Sequence, residues 1–100
     1  MSFIRVSHKS EIPEGQGIAV DAGSVRVALF NVGGTIYAIN NSCVHRGGPL
    51  SEGYLEDKTV TCPWHAWRFN MATGESEIDP AVRVATYQVK IQGDDVLVDV

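Results

Sequence analysis

One hundred residues, 44% of them apolar and none in repeats or low-complexity runs, bound a single globular domain over residues 1–100 rather than a disordered chain. Twelve acidic residues against eight basic ones give a net charge of -4, which argues against a nucleic-acid or anionic-membrane surface, since both call for clustered Lys and Arg. Met1–Val6 turns polar at Ser7-His8-Lys9 before a signal-peptide core forms, and the longest apolar runs fall far short of the roughly 20 residues of a membrane span. The expectation is a soluble, cytoplasmic monomer with no nucleic-acid or membrane partner.

In chain order, Phe3, Ile4 and Val6 mark a first strand over residues 3–8. Residues 10–17 carry a proline and glycines and read as a loop. Gly17–Asp21 reads as a short strand, turned by Ala22-Gly23-Ser24. Val25–Val32 and Thr35–Asn40 are rich in β-branched and aromatic residues, and Gly33-Gly34 between them is a strong hairpin signal. A polar stretch over 51–57 reads as a loop before a strand at Lys58–Thr61, and Trp67–Asn70 forms another. Ala72-Thr73-Gly74-Glu75 reads as a turn. A strand over Val82–Ile91 then pairs with Val96–Val100 through Gly93-Asp94. Within that strand Val82 and Val84 share one parity while Tyr87, Val89 and Ile91 take the other, which predicts a bulge or break near Ala85-Thr86 that restores an inward face. No stretch sustains a helical period. The fold class is therefore all-β, an antiparallel sandwich or barrel with two loops projecting at one end.

Those two loops carry the chemistry. Cys43-Val44-His45 and Cys62-Pro63-Trp64-His65, separated by residues 46–61, use both cysteines and two of the three histidines. Thiolate and imidazole are ligands for iron–sulfur clusters and zinc. A Cys2His2 set leaves two candidates: a closed structural zinc site, or a 2Fe-2S centre in which two histidines replace two thiolates on one iron. With one cysteine and one histidine on each loop, side-by-side loops would bring both cysteines to one iron and both histidines to the other. A lone disulfide between the cysteines is the weaker reading without an export signal.

Cys43-x-His45 followed by Cys62-x-x-His65 resembles the Rieske iron–sulfur signature. The surroundings fit as well: Gly47-Gly48-Pro49-Leu50, Pro63, Trp67-Arg68-Phe69 and Thr73-Gly74-Glu75. The resemblance implies one 2Fe-2S cluster per chain, with Cys43 and Cys62 on the inner iron and His45 and His65 on the outer, more exposed one. The formal charges of two ferric ions, two sulfides and two thiolates cancel, so an added electron meets a neutral centre and the potential is raised, to roughly −150 to +300 mV across such centres. High-potential members of the family carry a serine and a tyrosine after the second ligand pair, and a disulfide joining the loops. Here Trp67, Phe69, Gly48 and Trp64 occupy the matching positions. Both departures imply a low-potential, ferredoxin-like member.

By that resemblance the chain is a one-electron carrier and not an enzyme by itself. It would pass electrons from a flavin-containing NAD(P)H reductase to a terminal oxygenase, often one acting on aromatic rings. Competing readings are the small subunit of an NAD(P)H-dependent nitrite reductase and, from another class, a zinc-stabilised binding module. His8 reads as a surface histidine, Trp67 and Phe69 as core, and Trp64 as loop packing or a shield over the cluster. Gly47 and Gly48 read either as turn formers or as gaps that let backbone N–H groups approach the sulfides. Arg46 and Arg68 read as solvated cations. Glu52, Glu56, Asp57, Glu75, Glu77 and Asp79 form either a solvated acidic surface or a field that steers a basic partner.

Overall fold

The structure, a computed structural model, describes residues 3–42, 49–63, 67–77 and 81–100. Among them the strands are β1 (Phe3–His8), β2 (Gly17–Ala22), β3 (Val25–Val32), β4 (Thr35–Asn40), β5 (Tyr54–Glu56), β6 (Thr59–Thr61), β7 (Arg68–Asn70), β8 (Thr86–Gln92) and β9 (Asp95–Asp99). Six of them form one antiparallel sheet in the order β1-β9-β8-β4-β3-β2, which curls until its edge strands β1 and β2 touch. The short strands form a second sheet, β5-β6-β7. This is the all-β, barrel-like architecture the sequence implied.

The apolar run in β3 is nearly continuous because β3 is buried on both faces. Val27 and Leu29 point into the barrel with Ile12, Ala22, Ile36, Ala38, Val96 and Val98. Ala28 and Phe30 point the other way, where they join Ile39 of β4 and the inward residues of the small sheet, Val60 and Phe69. The chain thus builds two cores that share β3 and β4 as a common wall. The β3–β4 turn is the expected Gly33-Gly34, at φ 60° and 91°. Asn31 Oδ1 accepts from the Gly34 N–H at 3.0 Å and steadies that turn.

The parity change near Ala85-Thr86 is real, but its cause is not an inserted residue. The strand expected from Val82 begins only at Thr86. Val82 and Val84 pack on the second core, whereas Tyr87 and Val89 pack on the barrel core. The chain therefore crosses from one layer to the other at the predicted point, with the Asn40 N–H donating to the Ala85 carbonyl at 2.9 Å. Ile91 remains 41% exposed despite its parity. The register shift within the β1–β9 ladder lies between Arg5 and Ser7.

Two further differences concern the polar stretch. Residues 51–57, read as a loop, contain β5 and the end of a 3-10 turn, Leu50–Glu52. Only Leu55 in β5 faces a core, opposite Val60, so no alternation of apolar residues announces the strand. The following strand starts at Thr59 because Asp57, at φ 53°, and Lys58 form the two-residue turn between Glu56 and Thr59.

Candidate metal centre

The second Cys/His stretch grows out of the β6–β7 hairpin. The rungs Thr59↔Asn70, Val60↔Phe69 and Thr61↔Arg68 are followed by a hydrogen bond from the Cys62 N–H to the Trp67 carbonyl at 2.7 Å. Cys62 therefore stands on the last closed rung before residues 63–66. Side chains alternate along a strand, so Cys62 follows Val60 to the inward side, where it is 1% exposed among Leu50, Val60 and Phe69.

The first stretch is closed at its root by asparagines. Ser42 and Pro49 form an isolated antiparallel bridge, and the Leu50 N–H donates to the Asn41 carbonyl at 2.8 Å. Asn41 Oδ1 accepts from the Ser51 N–H at 2.9 Å, and Asn40 Oδ1 from the Ser42 N–H at 2.9 Å. Short amide side chains bond readily to nearby backbone, which suits them to closing a loop. Leu50, fully buried, lies in the same core as Cys62. Gly53 ties the two roots together: a Cβ there would collide with the carbonyl oxygen of Thr61, the residue before Cys62. The pair Asn40-Asn41 and Gly53 passed unremarked in the sequence, although consecutive asparagines before a candidate ligand are a recognisable turn signal.

Of the four candidate ligands the structure places Cys62; Cys43, His45 and His65 lie outside the described residues, as do Arg46, Gly47, Gly48, Trp64 and Asp79. The described part fits an iron–sulfur group. A thiolate in an apolar core is unfavourable unless coordinated, and the roots of both Cys/His stretches meet on the core that holds Cys62. Phe69 is fully buried and Trp67 half-buried, their ring centroids 6.4 Å apart, as expected for core residues. Neither side chain brings a hydroxyl to the Cys62 end of the hairpin.

The structure gives two of the charged residues local partners. Arg68, partly exposed as a solvated cation, lies 3.4 Å from Glu56 and 3.8 Å from Glu77. Glu75 in turn faces Arg83 at 3.9 Å, so part of the acidic surface is balanced locally, while Glu52 and Asp57 remain exposed. His8 sits on β1 with its Nδ1 2.8 Å from Ser10 Oγ, capping a 3-10 turn, in keeping with a surface role. A cleft of about 510 Å³ opens between β4 and β8, which pair only at Ala38↔Tyr87 and Ile39↔Thr86 before diverging. Ile36, Tyr37, Met71, Tyr87 and Val89 line it, and Cys62 does not.

Similarities to known proteins agree with this geometry. Residues 2–88 match the Rieske [2Fe-2S] domain. The 3-phenylpropionate/cinnamic acid dioxygenase ferredoxin subunit of Escherichia coli (strain K12) is 45% identical, over 99% of this chain and 94% of the relative. A chain from the complex of reduced oxygenase and oxidized ferredoxin in carbazole 1,9a-dioxygenase is 30% identical, with a TM-score of 0.86 over 96% of this chain and 91% of that one. A protein assigned as an NADH-dependent nitrite reductase small subunit from Mycobacterium tuberculosis gives a TM-score of 0.90 over 97% of this chain and 93% of its own, at 23% identity, a likeness of fold alone. The chain therefore belongs to the Rieske [2Fe-2S] domain family, whose group is one 2Fe-2S cluster per chain and not structural zinc.

Proposed function

We propose that this chain is the ferredoxin component of a Rieske-type aromatic-ring dioxygenase. It carries single electrons from a flavin-containing NAD(P)H reductase to a terminal oxygenase and is not an enzyme by itself. The observation that carries this reading is the 45% identity to a dioxygenase ferredoxin subunit along 99% of the chain. The nitrite reductase reading has only a shared fold behind it. The single domain over residues 1–100, the monomeric state and the cytoplasmic location belong to the same proposal. No helix among the described residues is long and apolar enough to cross a membrane.

The residues that would hold the cluster are Cys43 and Cys62 on one iron and His45 and His65 on the other. When bound, the cluster supplies a site that accepts and releases one electron. The protein's part is to hold that site at one end of the molecule. Cys62 anchors it in the second core, the Cys62–Trp67 hydrogen bond closes the hairpin beneath it, and Phe69 with Leu50 excludes water from the buried side. With Trp67 and Phe69 where high-potential relatives carry hydroxyls, these two side chains would donate no hydrogen bond from a hydroxyl to the sulfurs, which supports a potential in the lower part of the family's range.

The test is substitution of this chain, loaded with its cluster, for the ferredoxin subunit of the E. coli dioxygenase, read as NADH-dependent oxygen uptake with 3-phenylpropionate. Restored uptake is the expected result. A red-brown, cluster-bearing chain that the reductase does not reduce and the oxygenase does not reoxidise would overturn the proposal.

A further inference from the structure

Asn40 is the last residue of β4, and its side chain is bonded at both ends. Its Oδ1 accepts from the Ser42 N–H at 2.9 Å, and its Nδ2 donates to the Tyr87 hydroxyl of β8 at 3.4 Å. The Ser42 N–H can only donate, so the amide oxygen must face it and the amide nitrogen must face Tyr87. A plain Asx turn needs the first of these contacts alone. The second reaches a barrel strand 47 residues along the chain. The backbone of Asn40 is fixed as well, its N–H donating to the Ala85 carbonyl at 2.9 Å. Asn41 serves the other leg of the stretch: its side chain accepts from the Ser51 N–H and its carbonyl from the Leu50 N–H, both on the returning chain. Ser42 is exposed, and the ladder contact it makes is the isolated bridge to Pro49. The outgoing leg therefore depends on Asn40, which holds it at the residue whose Cα stands about 3.8 Å before that of Cys43.

We infer that Asn40 is a positioning residue for Cys43: bonded to Ser42 on one side and to Tyr87 on the other, it makes the barrel set where that ligand stands. The inference rests on the reading of Cys43 as a ligand given above. A ligand serves a metal well when its supporting contacts keep it within about 0.5 Å of the required place. Removing a partner that only orients a ligand typically costs about 10–100-fold in metal affinity. Cys62 draws its support from the β6–β7 hairpin of the small sheet. Asn40 gives the other cysteine a separate support in the barrel, so the two thiolates are held by different layers of the fold.

Cluster-loaded variants test this. Reduced-state EPR supplies the spectroscopic signature, cluster loss to a chelator measures retention, and amide exchange in β3 and β9 checks the barrel. Asn40→Ala removes both contacts and should shift the EPR lines and speed cluster loss roughly 10-fold or more, with the protection of β3 and β9 kept. Asn40→Ser still offers an oxygen to the Ser42 N–H but falls short of Tyr87, and Tyr87→Phe removes the hydroxyl from the other side. These two should behave alike, between the parent and Asn40→Ala. An Asn40→Ala protein with the parent's EPR lines and rate of cluster loss would overturn the inference. So would faster loss accompanied by lost protection in β3 and β9, because it would assign the effect to general stability. Should Asn40→Ala fail to fold, Asn40→Ser and Tyr87→Phe decide, and parent behaviour in either overturns it. A parent chain that takes up no cluster would sink the ligand assignment, whereas a loaded parent with unmoved variants sinks only the role of Asn40.

Discussion

The barrel and the small sheet that carries Cys62 are held together in different ways. The barrel strands run to eight residues in β3 and interlock through a closed interior of Val27, Leu29, Ile36, Val96 and Val98. Strands β5, β6 and β7 are three residues each. Strands so short do not sustain a sheet in water on their own. The small sheet persists by leaning on the outer faces of β3 and β4, through Phe30 and Ile39, and by local fastenings at Asn41, Gly53 and Gly74. The cluster would be a further fastening, because coordination that exists only in the folded state stabilises that state. Cys62 therefore stands on the less self-sufficient part of the molecule, whereas the first Cys/His stretch leaves from β4, a barrel strand.

The largest expected effect separates these two regions directly. Cys62→Ser should abolish the visible absorbance of the cluster. It should also strip amide-exchange protection from β5, β6 and β7 while β3, β4 and β9 retain theirs. Hydrogen exchange followed by mass spectrometry measures both regions in one experiment. Equal loss of protection in barrel and small sheet would mean that the two cores unfold as one unit and that the contrast drawn above is wrong.

A pair of substitutions sharpens the same contrast. Leu29→Ala empties part of the barrel core and should cost about 2–5 kcal/mol in chemical unfolding, with the cluster spectrum unchanged in the folded protein. Gly53→Ala puts a methyl group against the Thr61 carbonyl and the Val60 side chain. It should cost about 1–3 kcal/mol, and in this case the cluster should also be lost faster on exposure to a chelator. Stability and cluster retention are thus expected to part company in the barrel and to move together beside Cys62.

The barrel was legible in the sequence because its strands are long and each hairpin turn begins with glycine, as Gly23-Ser24, Gly33-Gly34 or Gly93-Asp94. The two Cys/His stretches stood out because cysteine and histidine are scarce and their spacing is specific, and of the four candidate ligands Cys62 lies among the described residues. The small sheet was harder for a physical reason. In β5 a single inward residue, Leu55, offers no period to read, and the fastenings that hold it are backbone and amide contacts. The parity change at Ala85-Thr86 was visible, but its meaning was not. A sequence read as having one core treats Val82 and Val84 as out of register with Tyr87 and Val89, when each pair is in register with a different core. Arg68 illustrates the same limit, since its partners Glu56 and Glu77 come from separate segments that only the sheet pairing brings alongside it.

The smallest expected effect lies at the end of the barrel, on β1. The Arg5 guanidinium donates to Asp95 at 2.9 Å, and that hydrogen bond, followed by the charge of Asp95, raises the arginine pKa above its ordinary value. A cation with a raised pKa in the folded state contributes stability that is fully present below the unfolded-state pKa and is lost only as pH rises through the folded one. Both limits lie far into the alkaline range for arginine. Any destabilisation by Arg5→Gln should therefore be the same at neutral as at mildly alkaline pH, and it should diminish with salt because the pair is exposed. Paired urea titrations at the two pH values check this. A gap between parent and variant that widens or closes across that interval would show that a second titrating group, and not the Arg5–Asp95 contact, governs this end of the barrel.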